Sequence, residues 1–532
     1  MGKIKFGKNV IENLTSGMYQ DSRIVYREYI QNSADQIDIA VDNGLYGDGD
    51  SPKIDISIDK KKRLIRIEDN ATGIEKALVH TELADVADSK KKREQNKGFR
   101  GIGRLGGLAY CDTLRFVTSA AGEDVKTVME WNAQKCMQLI NDSSVRDDAE
   151  TILLDIIDYR EEPCSEDEHF FKVELVGIKK ENEDLLNVDR VKEYISENTP
   201  IPINNNFIFD KRIYEYAREK GYTFDEYNIF VNGEDMLKPY VNDLYEKSDS
   251  KKRKYDEIVD IKYREFKTSG GEPLAWMWYG VSSFERQIPQ AFNRMRGIRL
   301  RKGNIQIGGS DCLAKLFKES RGTHYFLGEV HALHPDLIPN GRRDYFNENE
   351  IRVEFEEELR WFFGETLHKL YYAASNIKSA LRAQGTFLEK QEQFVEKEKK
   401  GLWVNTDEKN ELEVQLGQYE KKANTAKKRL DNWREKATED ASIQQVLSIV
   451  EGKHGVGLDS SAKTTRNTQK TSSKKKSQFM TDELTALAKK ERKLVSRIYS
   501  VIRDVLKEDQ SSRVIGAIQE ELKCNGKKNT FN

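Results

Sequence analysis

Five glycines crowd the ten positions from Gly98 to Gly107, in the segment GFRGIGRLGG. No regular helix or strand carries glycine at that density, because each one costs backbone entropy and offers no side chain to pack. The segment therefore reads as a backbone-exposing loop, with a helix predicted to begin near Leu105 and a strand, DTLRFVTSA, to follow. Glycines ahead of a helix present N–H groups to an anion, and the helix dipole adds to the attraction. The loop follows a basic stretch, DSKKKREQNK. It is not a Walker loop, since no Gly-Lys-Ser/Thr closes it. No strand leads directly into it, as a dinucleotide-binding βαβ unit would require. A second glycine run, Gly452 to Gly457, sits in a linker-like stretch and reads as a flexible connection.

Two upstream segments complement this loop. SRIVYREYIQNSADQIDIAVDNG is a predicted helix that stops around Asn43-Gly44, with Tyr26, Tyr29, Ile30 and Ala34 at helical spacing. Glu28 and Asn32 lie one turn apart, and Asp35 almost one turn further, so three oxygen-bearing side chains share one side. By itself that pattern suits any surface helix. KIDISIDKKKRLIRIEDN then alternates apolar and polar residues on both sides of a charged turn, predicting a hairpin. It ends at Asp69, followed by the small-residue turn Ala71 to Gly73. A carboxylate at a strand end can accept a hydrogen bond from an exocyclic amine, and small neighbours let a flat ring approach the backbone.

The order of these three pieces resembles the GHKL ATPases, the superfamily of gyrase B subunits, heat-shock protein 90 chaperones, histidine kinases and MutL mismatch-repair proteins. REYIQNSAD is similar to their E-x-x-x-N helix. EDNATGI is similar to their D-x-G-x-G turn, with Ala71 where the first glycine stands. DSKK followed by GFRGIGRLGG is similar to their lid and glycine box. The resemblance covers about the first 125 residues and implies an ATP site. In it Glu28 orients and deprotonates the attacking water, and Asn32 gives an oxygen to Mg²⁺. Asp35 lies near the nucleoside, and Asp69, with Ala71 and Gly73 beside it, holds the adenine amine. Lys90 with Gly98, Gly101, Gly103, Gly106 and Gly107 closes over the phosphates, in a lid of about Ala77 to Arg100. The split members of the superfamily follow the ATPase domain with a transducer that sends a basic residue to the γ-phosphate. In DLIPNGRRDYF, Arg343 is the preferred sensor, with Arg342 close behind; Lys302 in RLRKGNIQIG is the alternative.

The implied fold is α+β: a GHKL sandwich at 1–185, an S5-like transducer at 186–349 and a helical or coiled-coil arm at 350–450. A basic disordered linker at 451–478 and a C-terminal helix at 479–525 complete it. The length, 532 residues, accommodates several domains. A formal net charge of -2 gives no global argument for nucleic acid or membrane, although Lys474 to Lys476 form a local basic cluster. The five cysteines show no C-x-x-C spacing, so neither a zinc site nor a disulfide framework is predicted. His331 and His334 lack an accompanying ligand cluster, and Trp276 and Trp278 alternate as sheet core. No stretch is apolar enough for a signal or a bilayer span, which predicts a cytoplasmic protein without membrane association. The expected function is an ATP-driven, Mg²⁺-dependent homodimeric machine acting on DNA or a protein client. The alternative is a non-hydrolysing ATP-binding coiled-coil module; Glu28 argues against it, because a pure binder has no use for a water-orienting carboxylate.

Overall fold

In the computed structural model the described residues are 6–15, 21–85, 103–246, 253–400, 403, 406–455, 481, 484 and 486–528. They form two compact units, Met1–His368 and Lys369–Asn532.

The first unit opens with α1 (Asn9–Leu14) and α2 (Ile24–Asp42). The predicted hairpin is β1 (Lys53–Asp59) and β2 (Leu64–Asp69), antiparallel with Ile56 opposite Ile67. There follow α3 (Lys76–Ala84), β3 (Thr113–Ser119), β4 (Val125–Asn132), α4 (Ala133–Asn141), α5 (Ala149–Ile156), β5 (Ile157–Pro163) and β6 (Phe170–Val176). Then come α6 (Val188–Asn198), α7 (Asp210–Glu219), β7 (Asn228–Val231) and β8 (Glu234–Asp235). The eight strands make one sheet in the order β5-β4-β3-β6-β2-β1-β7-β8. Alternation puts Ile54, Ile56, Ile65 and Ile67 into one core with Tyr26, Ile30 and Trp131. The opposite face carries charge: Arg115 bridges Glu130 at 2.7 Å and Glu174 at 2.9 Å, and Arg66 meets Glu174 at 2.8 Å. A largely antiparallel sheet with one wet face has this division.

The expected boundary at 185 falls inside this core, which draws on residues as far as Met236. The segment YNIFVNGE, read as transducer, supplies β7, which pairs in parallel with β1, Ile54 opposite Ile229. A strand that returns to a free edge after some 170 residues leaves no local signature; only the edge's unpaired backbone groups select it.

A second sheet is built from β9 (Asp243–Glu246), β10 (Arg253–Lys267), β11 (Pro273–Ser282), β12 (Gly297–Lys302), β13 (Ile305–Ile307) and β14 (Leu327–Ala332), ordered β13-β12-β14-β11-β10-β9. Trp276 and Trp278 are buried within it. So is a charge cluster: Lys238 Nζ lies 3.0 Å from Glu329 Oε2, Arg301 binds the other oxygen, and Tyr240 Oη donates to it at 3.0 Å. The helix α8 (Glu350–Phe362), capped by Asn349, packs Phe362 against Phe266 of β10. It therefore belongs to this unit and not to the arm expected from 350, because its Phe355, Leu359 and Phe362 face has a sheet to cover.

The second unit is helical. It holds α9 (His368–Lys400), α10 (Thr406–Glu439), α11 (Ala441–His454), α12 (Lys489–Val505) and α13 (Glu508–Lys528). Lys397–Glu408 and Lys409–Glu398 ion pairs tie α9 to α10, and the Asp440 carboxylate caps α11 by accepting from Ser442 N at 2.9 Å. The expected single C-terminal helix is two, packed through Tyr499 and Ile515. Most of the expected linker, including Lys474 to Lys476, lies outside the described residues.

Candidate nucleotide-binding site

α2 is an unusual helix for its burial. Arg27, Glu28, Gln31, Ser33 and Asp35 are all buried alongside its apolar stripe. Burying so many polar groups is costly unless each finds a partner, so the partners define what the helix faces.

Glu28 meets two arginines. Arg27 Nη2 lies 3.5 Å from Glu28 Oε1, and Arg343 Nε lies 3.3 Å from the same oxygen. Arg343 comes from the loop after β14 and has a left-handed backbone, φ 56. A bulky residue reaches that region only when its surroundings hold it there. Two backbone hydrogen bonds do so: Gly308 N donates to Arg343 O at 2.9 Å, and Arg343 N to Asn340 O at 3.1 Å. Lys302 is elsewhere. Its ammonium donates to Leu333 O and His334 O, and burial brings its pKa down to about 8.

The glycine loop adjoins the same helix. A Cβ on Gly103 would lie 2.8 Å from Glu28 Oε2, so this backbone runs close beside the carboxylate. Gly107 N donates to Tyr29 Oη at 3.1 Å, and Tyr29 Oη donates to Arg104 O at 2.9 Å. Gly106 makes only an ordinary contact with Val25. In place of the α-helix predicted from Leu105, Gly103–Ala109 is a 3₁₀ segment. Its glycines favour neither helix strongly, and the bonds to Tyr29 fix the tighter turn. Lys90, Gly98 and Gly101 lie outside the described residues, as does most of the expected lid.

Asp69 ends β2 fully buried. Its Oδ1 accepts from Ala71 N at 3.2 Å, and Ser33 contributes a further hydrogen bond. Oδ2 is buried without a donor. Burial outweighs these bonds and pushes the carboxyl up to about 7. An acceptor left over beside a small-residue turn fits an exocyclic amine. Tyr46 stands close enough to Asp69 for the carboxylate to add to the burial that pushes its phenol up to about 12. The turn itself is tightly fitted: Gly73 has φ +63, and a Cβ there would lie 1.9 Å from Ser119 O. Ile74 N donates to Thr118 Oγ1 at 2.9 Å, and His169 Nδ1 sits 2.7 Å from Ala71 O. Asn32 is half-buried, and its carboxamide has no hydrogen bond among the described residues.

The structure thus brings Glu28, Gly103 and Arg343 together, with Asp69, Ala71 and Gly73 assembled at the β2 end of the sheet. Sequence reasoning missed Arg27, Ser33, Thr118 and His169. Arg27 and Ser33 flank named positions on α2, and only the fold shows that they are buried. Thr118 and His169 are brought by β3 and β6 pairing and had none. A cavity of about 310 Å³ is lined by five arginines, Arg27 and Arg343 among them, and by Asp21, Glu197 and Asp344.

Residues 27–152 match the family described as histidine kinase-, DNA gyrase B-, and HSP90-like ATPase. The chain carries a GHKL-type ATPase domain. Its relatives include proteins named chaperone protein HtpG. That of Wolinella succinogenes is 22% identical over 288 residues, 50% of this chain and 40% of the relative. Those of Bacillus subtilis and Clostridium botulinum are 24% and 25% identical, each covering 41% of both chains. The chain therefore spans about two fifths of the length of these relatives. A GHKL domain is a nucleotide-binding domain, and the residues that its model matches begin within α2 and include the turn at Asp69 and the glycine loop.

Proposed function

We propose that the protein binds ATP with Mg²⁺ and hydrolyses it slowly, as a chaperone-like, ATP-gated homodimer. The observation that carries this reading is the meeting of Arg343 with Glu28 across 315 positions of sequence, beside Gly103. A buried carboxylate needs no such distant partner for folding, since Arg27 is already at hand. A γ-phosphate site needs a carboxylate for water and a guanidinium for phosphoryl charge side by side.

The adenine amine donates to Asp69 Oδ2. Asn32 offers its carboxamide oxygen to Mg²⁺, which would neutralise triphosphate charge. Arg343 exchanges Glu28 for the γ-phosphate, and the carboxylate so released orients the attacking water and takes its proton. Asp35 borders the nucleoside, and Lys90 with the glycine loop covers the phosphates. Lys302, engaged by two carbonyls, is the weaker candidate for sensor.

Glu28→Ala is expected to retain nucleotide and lose turnover by on the order of 100-fold or more. Arg343→Ala should likewise spare binding and lower kcat, while Asp69→Asn weakens binding itself. Steady-state hydrolysis and equilibrium titration with a non-hydrolysable analogue separate these effects. Parent-like turnover in Glu28→Ala would remove the base assignment.

A further inference from the structure

The α9–α10 pair contains a groove of about 370 Å³. Lys421, Lys422 and Arg429 of α10 line it, together with the small side chains of Ala380, Ala383 and Ala426. The three cations are exposed, and none has an ion-pair partner among the described residues. Lys397, Lys409 and Arg434 of the same unit, by contrast, reach carboxylates.

The surrounding sequence explains the contrast. Residues 421–430, KKANTAKKRL, hold five cations and no acid; residues 369–388 of α9 hold three cations and no acid. The chain has 90 Asp and Glu in 532 residues, and the stretch between these two segments is rich in glutamate. A solvated charged helix intersperses both signs, since i,i+4 pairs stabilise it and like charges destabilise it. The acid-free stretch of α10 leaves the charge of Lys421, Lys422 and Arg429 uncompensated along the groove.

We propose that this groove binds the phosphodiester backbone of duplex nucleic acid without reading sequence. Lys421 to Arg429 span about 12 Å along the helix, or three to four phosphate steps at 3.4 Å each. The small side chains of the lining let a backbone approach. Among the described residues no aromatic ring lines the groove, so it offers no stacking platform of the kind that holds single strands. The site names a partner for the ATP-driven machine proposed above, yet it stands on residues of the second unit alone.

The test is fluorescence anisotropy of a labelled 25-base-pair duplex with the full chain across a range of KCl concentrations. Lys421→Gln/Lys422→Gln/Arg429→Gln keeps strong helix formers in place. It is expected to reduce the slope of log K against log salt by about 2.7 and to weaken binding at least tenfold. Lys422→Gln alone should reduce the slope by about 0.9, which keeps the test valid if circular dichroism shows the triple variant misfolded. Lys409→Gln/Arg434→Gln, at ion-paired positions, should bind like the parent, as should a duplex of scrambled sequence. An unchanged slope in the triple variant, equal loss in the control pair, or no parental binding at the lowest salt would overturn the proposal. So would displacement of the duplex by a phosphoserine peptide at lower concentration than by unlabelled duplex. Nucleotide titration of the same variants reads the ATP site separately and is expected to match the parent.

Discussion

Asp69 shows how one side chain can report on both folding and ligand. Its carboxyl is pushed up to about 7 by burial, whereas the unfolded chain releases that proton near pH 4. Between these values the folded protein binds more protons, so its contribution to stability falls as pH rises from about 4 to about 7. His331 has the opposite sign: burial brings it down to about 4, so its contribution is lost as pH falls from about 6.5 toward 4. Each effect is therefore best read as a difference between variant and parent. An amine donor requires the Asp69 carboxylate, so affinity for an ATP analogue should rise between pH 6 and 8 in the parent. The same titration on Asp69→Asn should lack that increment. Gly103 offers a second residue-scale comparison. Gly103→Ala forces the loop or Glu28 to move by several tenths of an ångström, and hydrolysis should fall more than binding.

At the scale of elements, α2 and the second sheet each hinge on a few buried polar bonds. Tyr29 joins α2 to the glycine loop through its hydroxyl, donating to Arg104 O and accepting from Gly107 N. Glu329 does the same work inside the second sheet, where it satisfies Lys238, Arg301 and Tyr240, all fully buried. Removing one member of a buried ion pair leaves the other uncompensated, which typically costs about 3–5 kcal/mol. Glu329→Gln should therefore lower the denaturant midpoint far more than Tyr29→Phe, expected to cost about 1–3 kcal/mol. Chemical denaturation of both variants checks the ranking. Neither element was fully legible beforehand. Alternation located β1 and β2 and marked the tryptophans as core. The periodicity of β12 and β14, however, gave no sign that Arg301 and Glu329 point inward, because charged residues in strands normally mark the wet face.

At the scale of the whole molecule, the proposed clamp places assembly and chemistry in the same cycle. Light scattering of the full chain, with and without a non-hydrolysable analogue, should show a dimer that tightens with nucleotide. A fragment ending at His368, the limit of the first unit, should still bind the analogue and assemble less. A full chain monomeric at micromolar concentration in both states would remove the clamp. Among the described residues no helix is long and apolar enough to cross a membrane.

What the sequence determined by itself was local: a helix with Glu28, Asn32 and Asp35 on one side, a hairpin ending at Asp69, and a loop too rich in glycine for a regular helix or strand. Those features follow from periodicity, turn chemistry and the steric freedom of glycine, which act over a few residues. Tertiary structure alone decided that β7 completes the first sheet, that α8 covers the second, and that Arg343 rather than Lys302 reaches Glu28. Each of these depends on which unpaired edge, uncovered apolar face or buried charge is left over once the local elements have packed. The lysine that ends β12 and the arginine in the loop after β14 carry the same charge in sequence. They differ here because two carbonyls capture the ammonium of Lys302, while the left-handed backbone at Arg343 turns its guanidinium toward a buried carboxylate.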